Sequence, residues 1–474
     1  MRAILSAFLL FALIGTVAAQ VPMHNVEGNW LATLEVGGAK FRLALKVQKS
    51  VDGYTAKFDS LDQGAKDLPI DSIVLNGDKL TFTAAKFLIN YEGTLNAAGD
   101  EITGTLKQGA NASPLIFKRI AELPKFNRPQ DPKKPYPYDE EEVSYRNQKD
   151  NIKIAGTLTL PRGGAPYPVV LLITGSGSQD RNETIAGHHP FLVLADYLTR
   201  NGIAVLRLDD RGVGGTDLGS LSATSENFAE DVLAGVNFLK QRKDINPKMI
   251  GLIGHSEGGM IAPMLAARSN DVAFIVLLAG PGQRGEDIIY SQTELILKAQ
   301  GTHVDTIRHT LALAKMINSI VKTEPDEKCI EQKINEEIAA YDRTLGDLQK
   351  QLFAPAAAAI KASMPIYKTP WYRYFITFDP APVLKNVKVP VLALNGELDL
   401  QVPAKENLEL IGAALKEGGN QDVTLKAFPK LNHLFQTTQT GLPSEYGQID
   451  ETMSPEVLKV VSDWILRRTV QKTR

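Results

Sequence analysis

The chain has 474 residues, enough for two or three domains, and its 43% hydrophobic and 22% charged content is that of a soluble globular protein. A formal net charge of −2, with the basic residues scattered, argues against nucleic acid as a partner. Cys329 is the only cysteine, which excludes an intrachain disulfide; its charged, helix-like setting marks it as structural, and no metal-site spacing occurs.

Residues 1–19 read as a secretory signal peptide. Arg2 is a short positive start, Ile4 to Val17 is an apolar core too short to span a bilayer comfortably, and Val17-Ala18-Ala19 suits cleavage before Gln20. No later segment has the uninterrupted apolar length of a membrane span. The mature protein is expected to be exported, periplasmic or secreted, without a stable membrane span.

Residues 24–119, within an expected domain over 20–120, alternate with period two: Trp30, Ala32, Leu34 and Val36, then Phe41, Leu43, Leu45 and Val47, with repeats through Leu115 to Phe117. Seven or eight short antiparallel strands at this spacing predict a small all-β domain, a barrel or a sandwich. Five prolines follow between Pro124 and Pro137. Residues 121–140 are therefore expected to form a semi-rigid linker.

From residue 141 the pattern changes. Val143 to Arg146 and Ile152 to Leu160 read as two edge strands, and Val169 to Ile173 is a continuous apolar run suited to a strand buried on both faces. Helices are expected at Pro190 to Leu198 and Asn227 to Lys240, and strands at Ile203 to Leu206 and Val272 to Leu278. Alternating strands and helices predict an α/β domain with a doubly wound parallel sheet. Gly212, Gly214 and Gly215 do not complete a dinucleotide fingerprint and follow the wrong strand for one, so no cofactor is expected. Residues 283–377 interrupt the alternation with helices at Ile288 to Gln300, Thr306 to Val321 and Glu327 to Leu352, a lid inserted after a sheet strand; His303 and His309 within it read as surface residues. The sheet resumes at Val389 to Leu394 and Val423 to Phe428, and Pro455 to Arg468 closes the chain as a helix.

One stretch carries chemistry. Gly254-His255-Ser256-Glu257-Gly258 fits G-x-S-x-G between an apolar strand and a helix-permitting run, the strand–turn–helix context that raises a nucleophilic serine above a sheet edge. Gly254 and Gly258 are required because a Cβ at either would collide with neighbouring backbone. A serine hydroxyl needs a base within hydrogen-bond reach and a third group to orient that base. Asp399 and then His433 follow Ser256 in order, each just beyond a predicted strand. His433 is the only histidine after His309, while Asp399 competes with Glu397 for the acid role. The oxyanion requires two aimed N–H donors. Glu257, through its backbone, is one; the loop Thr174-Gly175-Ser176-Gly177-Ser178 offers the second, Ser176 first and Gly177 next. His255 reads as a packing neighbour, and the Glu257 side chain is not required.

Taken together, Gly175 to Asn182, Asp210-Arg211-Gly212-Val213-Gly214, Gly254 to Gly259, Asn395 to Val402 and Asn432-His433-Leu434-Phe435 resemble the bacterial α/β-hydrolases of the EstD esterase type, related to the serine aminopeptidase group. The resemblance covers roughly residues 141–470. It implies an α/β-hydrolase fold with a helical lid and a carboxylesterase acting on short acyl esters of small molecules, with Ser256 as nucleophile, Asp399 as acid and His433 as base. Two alternatives stand beside it: a serine peptidase of the aminopeptidase or prolyl-oligopeptidase kind, and an inactive binding protein on a hydrolase scaffold.

Overall fold

The computed structural model describes residues 25–36, 39–61, 65–108, 111–124 and 126–470. The expected signal peptide lies outside these residues. They form two compact units: one holds most of the N-terminal sheet up to Glu122, the other everything from Leu123 on together with Thr33–Ala44 and Phe58–Leu68.

The N-terminal strands are β1 (Gly28–Val36), β2 (Ala39–Ser50), β3 (Gly53–Ser60), β4 (Ala65–Pro69), β5 (Ser72–Asn76), β6 (Lys79–Ala84), β7 (Ile89–Leu95), β8 (Glu101–Gln108) and β9 (Asn111–Ile120). They form a single sheet in the order β4-β3-β2-β1-β9-β8-β7-β6-β5, a half-barrel. β5 to β9 are an antiparallel meander, and β9 returns to pair with β1. The period-two pattern is visible as burial: along β7, residues alternate strictly between buried and exposed. Phe82 stacks on Tyr91 at 5.1 Å between ring centroids, and the Tyr91 hydroxyl, buried with them, donates to the carbonyls of Ile102 and Leu115.

In the second unit the strands are β10 (Asp139–Asn147), β11 (Ile152–Leu160), β12 (Tyr167–Ile173), β13 (Ala204–Leu208), β14 (Ile245–His255), β15 (Phe274–Leu278), β16 (Val391–Gly396) and β17 (Val423–Phe428), in the order β10-β11-β13-β12-β14-β15-β16-β17. β13 through β17 run parallel, and β10 and β11 are antiparallel to their neighbours. Of the two expected edge strands only β10 lies at the edge. β11 pairs with β13 on its other side and is buried at eight of nine positions, so it belongs to the sheet interior. Helices α1 (Pro190–Arg200) and α11 (Pro455–Val470) cover one face through Phe191, Leu194 and Trp464. Helices α2 (Ser225–Lys240), α3 (Gly258–Ala266) and α10 (Ala404–Glu417) cover the other. β12 sits between β13 and β14, so the chain leaves it first to one side and then to the other. The carboxyl ends of β12 and β14 therefore face each other across the switch point where open α/β sheets form their ligand crevice.

The proline-rich stretch is laid along this unit. The Arg128 guanidinium donates to the carbonyls of Ala186, Gly187, Gly447 and Ile449, and Gln130 bonds Thr452 and Met453.

Between β15 and β16 lies a helical cap: α4 (Gly285–Ala299), α5 (Val304–Thr323), α6 (Glu327–Arg343), α7 (Asp347–Tyr367) and α8 (Pro370–Thr377), followed by the short α9 (Pro380–Leu384). The single helix expected over Glu327 to Leu352 is two, because the chain breaks at Gly346, whose N–H bonds the Gln349 side chain to start α7. α7 then continues past Leu352 through Pro355 and Pro365 to Tyr367. His309 is not a surface residue: it is 2% exposed, bonds the Tyr341 hydroxyl and packs edge-on to Phe353. It shares the α5 face of Leu313, Ile317 and Val321, four residues apart, which carries it into the cap core. His303 is exposed at the start of α5. No described helix is long and apolar enough to cross a membrane.

Candidate active site

β14 ends at His255 and α3 begins at Gly258, so Ser256 and Glu257 make the whole turn. Ser256 has φ +52°, a left-handed conformation that a residue with a side chain holds only when its surroundings impose it. The imposition is steric. A Cβ on Gly254 would lie 1.9 Å from the Gly258 carbonyl oxygen, and one on Gly258 would lie 2.2 Å from that of Ile173. Strand and helix thus meet backbone to backbone, and the turn between them has no other shape to take.

His433 stands on the loop beyond β17, and its Nδ1 is 2.8 Å from Asp399 Oδ2. Both side chains are buried. The other Asp399 oxygen accepts the N–H groups of Gln401 and Val402 at 2.8 and 2.9 Å, which fixes the carboxylate and leaves imidazole Nε2 for other work. Glu397, the competing acid, is exposed. Ser256 and His433 line one cavity of about 600 Å³. Among the described residues no hydrogen bond runs from Ser256 Oγ to the imidazole; in unliganded sites such bonds often tighten only with substrate.

The expected oxyanion donors divide. Ser176 and Glu257 line the cavity of Ser256, and among the described residues neither backbone N–H has a protein acceptor. Gly177 (φ +97°) is not brought to that cavity; it lines a second one. The Gly175 N–H is already given to Glu183 Oε1 at 2.9 Å.

Both neighbours of the serine carry more than was expected of them. His255 is 4% exposed; its Nδ1 lies 2.8 Å from Glu183 Oε1 and its Nε2 lies 3.0 Å from the His433 carbonyl oxygen. The Glu257 carboxyl, 3% exposed, accepts from Ser225 Oγ at 2.6 Å and from Trp371 Nε1 of α8 at 2.8 Å. Burial pushes this carboxyl above the usual range, against the opposing pull of its donors Ser225, Trp371 and Ser176. Behind the Gly175 loop, Asp210 accepts from Thr174 Oγ1 at 2.8 Å and from the Gln179 N–H at 2.9 Å, and burial raises it to about 7. No group of three metal-ligating side chains is assembled among the described residues.

Sequence comparisons agree with this architecture. The serine aminopeptidase S33 family matches residues 189–348, and the prolyl oligopeptidase family matches residues 349–451. Esterase EstD of Thermotoga maritima is 27% identical over 384 residues, spanning 78% of each chain. The chain has the α/β-hydrolase fold and is a hydrolase. Solved structures with a related fold include an esterase of Pyrococcus furiosus (16% identity, TM-score 0.43, covering 73% of this chain and 99% of that one). Another is the α/β-hydrolase GrgF of Penicillium (16% identity, TM-score 0.42, covering 69% of this chain and 98% of that one).

Three residues of this hydrolase's site escape sequence reasoning. Glu183 lies in a loop without periodicity, and its partner His255 is 72 positions away. Ser225 and Trp371 reach Glu257 from α2 and from the cap, pairings that only the folded chain makes. Trp371 stands in the aromatic run Trp371-Tyr372-Arg373-Tyr374-Phe375, which by itself does not indicate what the indole N–H meets.

Proposed function

We propose that this hydrolase is an exported serine carboxylesterase acting through an acyl-enzyme on esters of small molecules, short acyl esters being the class its resemblance implies. The observation that carries the reading is the Asp399–His433 pair opening onto the same cavity as the strained Ser256. Asp399 holds Nδ1–H, so Nε2 is the basic nitrogen. Nε2 takes the Ser256 proton as Oγ bonds the ester carbonyl carbon, and the carbonyl oxygen takes up the negative charge. The N–H groups of Glu257 and Ser176 are the donors for that oxyanion, worth a factor of roughly 100 to 1,000 in turnover each. The tetrahedral adduct expels the alcohol oxygen, which takes the proton from Nε2. A water then gives its proton to Nε2 and attacks the acyl-enzyme, Ser256 recovers a proton, and the carboxylic acid leaves. Export rests on the signal-like residues 1–19.

The family matches to aminopeptidases keep a second reading open, in which the substrate is an aminoacyl amide gripped at its amine by a carboxylate. Among the described residues Glu257 is the only acidic side chain lining the Ser256 cavity, and its carboxyl is occupied by protein donors, which favours esters. Comparing p-nitrophenyl acetate and butyrate with aminoacyl p-nitroanilides decides between them. The esters are expected to turn over faster at matched concentration; faster anilides would reverse the assignment.

A further inference from the structure

A second cavity of about 650 Å³ lies on the far side of the Gly175–Ser176 loop, with Gly175, Ser176, Glu257 and Trp371 contributing to the walls of both. Large apolar side chains are rarely left in water without a use when they gather at a concave site. Leu218, Leu221 and Ile366, which line this cavity, are 58%, 84% and 50% exposed. Deeper in, Phe228, Val232 and Ile261 continue the apolar wall. The carboxylates around it have partners within the protein: Asp210 has Thr174 and Gln179, Asp209 has Arg181, and Asp231 has Arg211 and Asn147. With its carboxylates paired, the cavity offers a ligand mainly hydrocarbon surface, the polar exception being Arg211, whose buried Nη1 has no hydrogen-bond partner among the described residues.

Resting on the esterase reading above, we propose that this second cavity receives the acyl group of the ester, and that the acyl groups it takes are apolar and longer than the short chains the resemblance implies. The alcohol oxygen must depart beside His433, which reprotonates it, and His433 lines only the first cavity. The acyl substituent on the opposite side of the carbonyl is directed past Ser176 and Glu257, whose N–H groups hold the oxyanion. The partition there is Trp371, carried by the cap and fastened to Glu257 through its indole N–H.

The test is kcat/KM for p-nitrophenyl acetate, butyrate and octanoate, together with octyl acetate, in the full chain and in Leu221→Asp and Ala223→Phe. Leu221 is exposed at the rim, so its variant is expected to fold even where the filling variant Ala223→Phe does not. Each added methylene buried is worth at most about fourfold. The octanoate-to-acetate ratio of p-nitrophenyl esters is expected to exceed ten in the native protein and to fall at least tenfold in Leu221→Asp, with the octyl acetate rate not following it. An unchanged ratio in folded Leu221→Asp, or a loss confined to octyl acetate, overturns the acyl assignment. Labelling of native protein by a small fluorophosphonate, run alongside, separates the two levels. Without labelling the serine reading fails and the acyl pocket with it, whereas labelling with an unchanged ratio removes the pocket alone.

Discussion

The imidazoles of His255 and His433 lie 4.8 Å apart between ring centroids, and His255 Nε2 donates to the His433 backbone carbonyl at 3.0 Å. The other His255 nitrogen faces a Glu183 oxygen at 2.8 Å, and that oxygen also accepts the Gly175 N–H. Both ring nitrogens of His255 thus face acceptors, an arrangement that suits an imidazolium paired with a carboxylate. Burial alone would lower the His255 pKa, but the Glu183 charge and hydrogen bond outweigh it and the net direction is upward. The buried His255–Glu183 pair therefore ties the residue beside the proposed nucleophile to the Gly175 loop and to the backbone of the proposed base.

Glu183→Gln removes the charge but keeps the shape. It is expected to lower stability at neutral pH by about 3 to 5 kcal/mol, since a buried cation loses its partner. Urea unfolding of the two proteins at pH 7 measures this. A difference below about 1 kcal/mol would show that His255 is neutral in the fold. The sign with pH follows from the raised His255 pKa: its stabilisation is complete below the unfolded value and is lost as pH rises through the folded one. The gap between native protein and Glu183→Gln should therefore narrow in alkali.

His188 titrates in the opposite sense. It is fully buried between Thr452 and the Tyr446 carbonyl, and desolvation together with the nearby Arg128 charge lowers it to about 4. The unfolded chain takes up a proton below the ordinary histidine value near 6.5 that the fold refuses down to about 4. Stability from this group is present above that window and is lost as pH falls through it, by roughly 3 kcal/mol in all. Asp210, raised to about 7, contributes with the other sign, so the informative quantity is a difference between proteins. His188→Gln should flatten the fall in stability between pH 6.5 and pH 4 relative to the native chain. Parallel curves would assign the acid sensitivity elsewhere.

The elbow permits no Cβ at its flanking glycines. Gly258→Ala puts a methyl 2.2 Å from the Ile173 carbonyl oxygen, which requires β12 and α3 to separate. Loss of about 4 kcal/mol or more is expected, with hydrolysis abolished. Thermal unfolding and a p-nitrophenyl acetate assay report both, and a variant of native stability would mean that the backbones are not in contact.

Trp371→Phe keeps the ring and deletes the indole N–H that reaches Glu257 at 2.8 Å. The Glu257 carboxyl retains its Ser225 partner, so a cost of about 1 to 3 kcal/mol is expected. Hydrogen exchange should show the cap helix at Pro370–Thr377 opening more readily, and unchanged exchange there would dissociate the cap from this bond.

What was legible in the sequence depended on range. The strands ending at Ile173 and His255 are continuous apolar runs, and Ser256, Asp399 and His433 each stand just past a strand end, so local pattern and chain order sufficed to single them out. Gly254 and Gly258 were legible for the same reason, being within two residues of the serine. Glu183 was not, because its meaning comes from His255 across 72 positions. α7 runs on past Leu352 to Tyr367 because packing of Phe353, Ile360 and Met364 into the cap core overrides the low helix propensity of Pro355 and Pro365. β11 reads as an edge strand because alternation cannot reveal that β13 pairs on its second side.

The proposed chemistry runs through Ser256 as the nucleophile. Purified full-length protein treated with a fluorophosphonate and analysed by intact mass and peptide mapping should gain one adduct, on Ser256, that Ser256→Ala lacks and that slows sharply in His433→Ala. No adduct on the native protein, or one of equal yield in Ser256→Ala, would contradict the account.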